Sequence, residues 1–462
     1  MLPSSISVPR FEKSTWLRPN LRASIYDAGC FGFMVGIGEM YLSNFALDVG
    51  LGEVVTGLAT GVPFLCGGIL QLLSLYALAR IGSYKRWIVT GVALQGLVFL
   101  PLIYAAIVGS MPAWAFFLIV SCYWGAGMAS APAWNAWISH VVPSRIRSKY
   151  FARRTRVIQV AMLTGFLAGG WLLSLSKQWN QVLYGFAAIF VLASVARFAS
   201  AYSLHRHQTS AEEDHAEPRS VSVWSAWGAV SPKARYLIAY LVCMQFCIQL
   251  SGPYFIPYMK KQLGYGNEVF VWVFASALVA RIASMSLWGM LARRFGSQAV
   301  LFLGGLGLIP LSTLWIFSDS IVWLMFIQAL AGLLWSAYEL AFFLMFLDYI
   351  PQRRRADLLT IYYLASAAAF CLGSLVGGWW VATHGTTVAA YHGVFILSAF
   401  GRIGCVYLLW KTWNSSAFPR RPMDTSTKAI GIGHSSVEES ADLRPDAGPS
   451  HRPIVDHRPE AA

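Results

Sequence analysis

Apolar runs of membrane-spanning length recur along the chain, separated by short polar loops. A helix needs roughly 20 apolar residues to cross the hydrocarbon core. Twelve runs meet that length: 25–48, 54–78, 87–108, 112–138, 157–176, 181–203, 236–259, 269–292, 299–317, 321–347, 359–382 and 391–411. They are numbered here as spans one to twelve. The pattern predicts an all-α polytopic membrane protein with 12 transmembrane helices. Residues 1–24 form an N-terminal segment and 25–203 the first six spans. A polar linker, 204–235, separates them from the second six, 236–411. Residues 412–462 are rich in Pro, Ser, Asp and Arg and read as a disordered tail.

Composition agrees with the pattern. Of 462 residues, 56% are hydrophobic and only 12% charged, against about 25% charge in soluble domains. The net charge of +14 comes largely from short loops between apolar runs, which argues for topology and against nucleic-acid binding. Arg80, Lys85 and Arg86 lie in one loop, and Arg145, Arg147, Lys149, Arg153, Arg154 and Arg156 in another. Arg293 and Arg294, then Arg353 to Arg355, lie in two more on the same side. The opposite loops hold little beyond Lys177, Lys260 and Lys261. The basic side is expected to be cytoplasmic, with both termini and the linker there, in a cytoplasmic (inner) membrane. The first apolar run is long enough to span and lacks a signal-peptide cleavage pattern. The seven cysteines all lie in apolar runs and read as small buried residues rather than a disulfide framework. His205, His207 and His215 form no compact ligand set, and no metal or other cofactor is expected.

The two halves repeat. Gly165-Phe-Leu-Ala-Gly169-Gly170-Trp171 recurs as Gly373-Ser-Leu-Val-Gly377-Gly378-Trp379, 208 positions on. "VVPSRIR" after span four and "YIPQRRR" after span ten keep the same offset at Pro143 and Pro351. Arg197 and Arg402 hold similar places in spans six and twelve. Ordered matches of this kind imply two pseudo-symmetric six-helix units.

With this layout the chain resembles the major facilitator superfamily over about residues 22–411. The family's loop motif, Gly-x-Leu-Ala-Asp-Arg-x-Gly followed by basic residues, is matched by Gly289-Met-Leu-Ala-Arg293-Arg294-Phe-Gly296. A weaker copy runs from Leu75 to Gly82, with Arg80, and is followed by Lys85 and Arg86. The family's Asp is replaced by Ala79 and Arg293. The resemblance implies two helical bundles around a midplane cavity, worked by alternating access, with these loops as gating elements.

A charge at the bilayer centre costs at least about 2.5–3.5 kcal/mol, so buried ionisable residues are candidates for function. Glu39, inside "GFMVGIGEMYLSNFALDVG", is expected to share a helical face with Gly29, Gly32, Gly36 and Ser43, which are spaced by three or four. It is a candidate coupling or substrate-contact residue; the alternative is a structural carboxylate bonded to a neighbouring helix. Arg281 and Glu339 lie deep in spans eight and ten without charged counterparts in the first half, and pairing of Arg281 with Glu39 or Glu339 would offset their burial. Arg197 and Arg402 read as snorkelling or paired residues. Gln245, Gln249 and Tyr254 flank Gly252-Pro253 in span seven, where a kink would free backbone carbonyls. Trp335 and Tyr338 in span ten and Asn135 in span four complete the expected cavity. No P-loop or hydrolase motif is present. The expectation is a non-enzymatic secondary transporter, a symporter or antiporter of a small molecule, with a proton or other ion as the drive and the bilayer as its partner. The competing reading is a transporter-shaped sensor or assembly factor that moves nothing.

Overall fold

The computed structural model describes residues 10–142, 144–208, 231–349 and 355–414. Pro143, Pro351, Arg353, Arg354, most of the linker and the tail beyond 414 lie outside the described residues, as do the side chains of Ala79 and Asn135. The described chain is helical, and eleven of its helices are long and apolar enough to cross a membrane. Span one comprises Arg10–Ile37 and Leu42–Asp48; spans two to six are Glu53–Ile81, Tyr84–Val108, Ala113–Val141, Ser144–Gln178 and Val182–His205. Span seven begins as Pro232–Ser251 and continues irregularly to Gln262. Spans eight and ten to twelve are Asn267–Phe295, Ile321–Tyr349, Arg355–Thr383 and Val388–Asn414.

Span nine departs from expectation. Its helix is only Ser297–Gly307, followed by a non-helical stretch and a short 3-10 turn, Thr313–Ile316. Pro310 accounts for the break, because it has no N–H to donate and its ring clashes with the carbonyl one turn back. Elsewhere the ends follow local chemistry. Gly82 closes span two at φ 68°, a conformation that costs glycine little. Ser83 then caps span three by accepting from the Arg86 N–H at 3.1 Å.

The repeated glycine motif has a structural purpose. A Cβ on Gly165 would lie 2.5 Å from the carbonyl oxygen of Phe33, and one on Gly373 2.4 Å from that of Phe246. Spans one and five, and likewise seven and eleven, therefore approach at backbone distance. One turn on, Gly169 and Gly377 receive the rings of Tyr41 and Tyr254, at 2.6 and 2.8 Å from where a Cβ would sit. The Tyr41 hydroxyl donates to the Phe166 carbonyl at 2.5 Å, and the Tyr254 hydroxyl to that of Ser374 at 2.6 Å. The two bundles are thus braced by the same device at equivalent positions, each tyrosine standing just after a helix break.

Candidate functional site

Three interrupted helices meet at one cavity between the bundles. Span one breaks at Gly38, and Glu39–Tyr41 form a 3-10 turn before the helix resumes. Span seven breaks where Gly252-Pro253 opens a 3-10 turn, as the sequence predicts. Span nine breaks at Leu308. The cavity, about 400 Å³, is lined by Glu39, Gln249, Pro253, Leu308, Trp335 and Arg402 among others. Irregular backbone is tolerated at membrane depth where it lines such a cavity, because its freed polar groups can be satisfied there. Arg402 satisfies one of them: its Nη1 donates to the Leu308 carbonyl at 2.6 Å, and its Nη2 to Ser251 Oγ at 3.1 Å. Arg402 and Arg197 are 4% and 5% exposed, so both are buried structural partners and neither snorkels.

The break also re-aims Glu39. Gly32 and Gly36 press on the backbone of span five at Ile158 and Met162, but the carboxylate turns to span four and accepts from the Tyr123 hydroxyl at 2.6 Å. The shared face expected for Gly29, Gly32, Gly36 and Glu39 therefore ends at Gly38. Glu39 also lines a second cavity, about 280 Å³, inside the first bundle, together with Asp27, Gln95, Tyr123, Arg154 and Arg197. Its polar groups are linked. Arg154 pairs with Asp27 at 2.9 Å, Ser200 donates to Asp27 at 2.7 Å, and Arg197 donates to Ser200 at 3.1 Å. Arg197 also bonds Gln95, whose amide donates to the Tyr123 carbonyl at 3.1 Å. Asp27 is only 3% exposed. Its position near the start of span one makes it look like an interface residue, and only the packing brings it into the bundle.

The other candidates divide. Arg281 and Glu339 pair with each other. Arg281 stands one turn from Met285, whose sulfur meets Gln159 of the first bundle at 4.0 Å, so the pair lies towards the bundle interface. Gln249 and Trp335 line the central cavity. Tyr254 does not; it is the buried brace on Ser374. Tyr338 is buried with its ring against Tyr240 and Trp335. Gln245 is half-buried and outside the cavity lining. In the loops, Lys85 donates to the carbonyl of His207, just past span six, at 2.9 Å. Arg80, Arg293 and Arg294 are exposed, Gly289 lies beside Arg293, and Gly296 closes span eight at φ 88°.

Sequence reasoning missed a cluster on the face opposite the linker. Lys260 of span seven donates to Asp48 at 2.6 Å and Asn44 at 2.7 Å in span one, and to Asn267 at 2.8 Å. Lys177 pairs with Glu268 at 3.1 Å, and Tyr391 donates to Glu53. Beneath them Phe270 packs on Tyr41 and Phe166, with ring centroids 5.8 and 5.5 Å apart. The contacts of Lys260 with span one, and those of Lys177, Tyr391 and Phe270, cross between the bundles and close that face. The lysines stand out in sequence as rare basic residues on the far side, but acids and amides from several spans are joined to them only by folding.

The profile of the Major Facilitator Superfamily matches residues 25–271 and 237–429. The chain belongs to that superfamily of membrane transporters. Solved structures agree in fold. A point mutant of the nucleoside transporter NupG aligns at TM-score 0.65 and 11% identity, over 86% of this chain and 100% of that one. A bacterial homologue of the human lysosomal transporter Spinster, inward-facing and occupied, aligns at 0.64 and 13%, over 88% and 98%. A bacterial homologue of the iron transporter ferroportin, outward-facing with soaked iron, aligns at 0.59 and 14%, over 86% and 99%. No curated relative matches in sequence.

Proposed function

We propose that the protein is a secondary active transporter that moves a small molecule across the cytoplasmic membrane by alternating access, driven by protons taken up and released at Glu39. The observation that carries this reading is the position of Glu39. One carboxylate lines both the central cavity and the second cavity, whose lining includes Asp27 and Arg154. Cargo in the first cavity and a proton entering through the second would meet at the same side chain. The loop asymmetry supports an orientation with the linker and Arg154 on the cytoplasmic side. The closed far face then corresponds to a state shut towards the outside. Gln249 and Trp335 offer cargo an amide and an aromatic face.

Protonation of Glu39 removes its charge and leaves the Tyr123 hydrogen bond free to reverse. Glu39→Gln holds the neutral state at nearly the same volume. After a vesicle screen for transported metabolites identifies a cargo, wild type should accumulate it when a pH gradient is imposed. Glu39→Gln should lose accumulation and keep exchange of cargo for cargo, which needs no net proton movement. A gradient response unchanged in Glu39→Gln removes Glu39 from coupling. Absence of any cargo flux from a correctly inserted wild type favours the sensor reading.

A further inference from the structure

On the outer side of the first bundle, spans one and five part towards the linker face and leave a groove of about 870 Å³. Its cause is local. Gly32 and Gly36 lock the two helices at backbone contact, whereas a Cβ on Gly29 would meet only Val157, at an ordinary 3.7 Å. The walls there are Ile25, Phe33, Val157 and Ala161, with little polar surface. Tyr26 on the rim is 62% exposed, so the groove opens outwards and away from the central cavity.

Two arginines, Arg22 and Arg153, line the same groove. Both are exposed, and neither has a hydrogen-bond or ion-pair partner among the described residues. The neighbouring Arg154, by contrast, is held by Asp27 at 2.9 Å. From Arg153 to Thr164, the deepest lining residue of span five, the helix rises about 17 Å. Half of a hydrocarbon core about 30 Å thick is about 15 Å. The part of the groove from Arg153 to Thr164 is therefore about one leaflet deep, and Leu21, Ile146 and Tyr150 continue its lining past the two arginines.

We propose that this groove binds an anionic phospholipid, with an acyl chain between spans one and five and the headgroup phosphate between Arg22 and Arg153. Assignment to the cytoplasmic leaflet rests on the orientation argued above; the site itself does not depend on it or on what the protein transports. Two cations without a partner among the described residues select an anionic headgroup over a zwitterionic one, and the apolar walls exclude free phosphate as a sufficient ligand.

The test uses the full-length protein equilibrated with equal amounts of phosphatidylglycerol and phosphatidylcholine of identical chains, and read by native mass spectrometry. Wild type should retain phosphatidylglycerol preferentially. The double variant Arg22→Gln/Arg153→Gln should lower that preference by about thirtyfold, the combined effect of two basic residues near a charged surface. Ala161→Phe, which fills the groove, should lose both lipids, and Arg294→Gln, remote on span eight, should behave as wild type. A second measurement needs no variant. Cys30 lines the groove, so its alkylation, followed by peptide mass spectrometry, should slow as phosphatidylglycerol replaces phosphatidylcholine. An unchanged lipid preference in the double variant, an equal loss in Arg294→Gln, retention of lipid in Ala161→Phe, or Cys30 rates independent of headgroup would each overturn the site.

Discussion

Replacing Lys260 by Met tests whether the far-face cluster holds the bundles together. In the closed arrangement the ammonium makes three bonds of 2.6–2.8 Å, to Asp48, Asn44 and Asn267. The Lys260 and Asp48 side chains are 10% and 21% exposed. Truncating one partner of a buried, hydrogen-bonded charge pair costs about 2–5 kcal/mol, much of it from the charge left behind. Asp48 keeps some solvent and a long contact of 3.4 Å from Asn267, so the lower end applies. A loss of about 2 kcal/mol from the closed state is roughly a thirtyfold change in the closed-to-open ratio. Opened outwards, both groups are solvated and the substitution costs little, so the equilibrium must move towards opening on that face. Spin labels at Ser110 and Ser320, on exposed loops of the two bundles, report the separation by pulsed electron resonance. Lys260→Met should populate a longer distance, and Asp48→Asn should do so to a lesser degree because a polar partner remains. Lys177→Met should change little, since its pair with Glu268 is 54% and 42% exposed, where ion pairs contribute about 0–1 kcal/mol. If Lys260→Met inserts normally and the distance distribution is that of wild type, the cluster is not a lock.

The brace predicts an order of effects. Tyr41→Phe removes one hydrogen bond and should cost about 1 kcal/mol, whereas Gly169→Val drives a side chain into the Tyr41 ring, 2.6 Å from its Cβ position, and should lower the melting temperature further. Equal melting temperatures would refute the packing argument. The His207 ring, buried against Trp137 at 5.0 Å with neither nitrogen bonded among the described residues, is held down to about 4 by burial. An unfolded histidine takes its proton near about 6.5, so the folded state binds fewer protons between the two values; stability is complete above about 6.5 and falls by about 3 kcal/mol as pH drops towards 4. Thermal unfolding at pH 7.5 and 5 should show about 2 kcal/mol of that loss in wild type and a smaller one in His207→Phe, and identical losses would exclude the imidazole as the cause.

Hydropathy and loop charge are local properties. A run either is or is not apolar enough to insert, whatever it later touches. That is why the spans and the doubled motif are readable from the residues, and why Gly252-Pro253 marks a break without knowledge of the packing. Span nine shows the limit even there. Pro310 was visible in an apolar run, but a spanning run keeps its hydropathy whether its helix is whole or interrupted. Partnerships belong to the tertiary structure, because each depends on the bend and register of two helices at once. The turn at Gly38 rotates Glu39 away from the glycine face and onto Tyr123. The break at Leu308 exposes the carbonyl that Arg402 covers, and the cradle at Gly377 takes Tyr254 out of the cavity and makes it a strut. Asp27, which no sequence pattern singles out, is brought beside Arg154 and Ser200 by the close approach of spans one, five and six. The residue types supplied a buried acid, a buried cation and a pair of tyrosines. Which of them meet was decided by interhelical contacts far apart in sequence, and no period or composition within one helix encodes those.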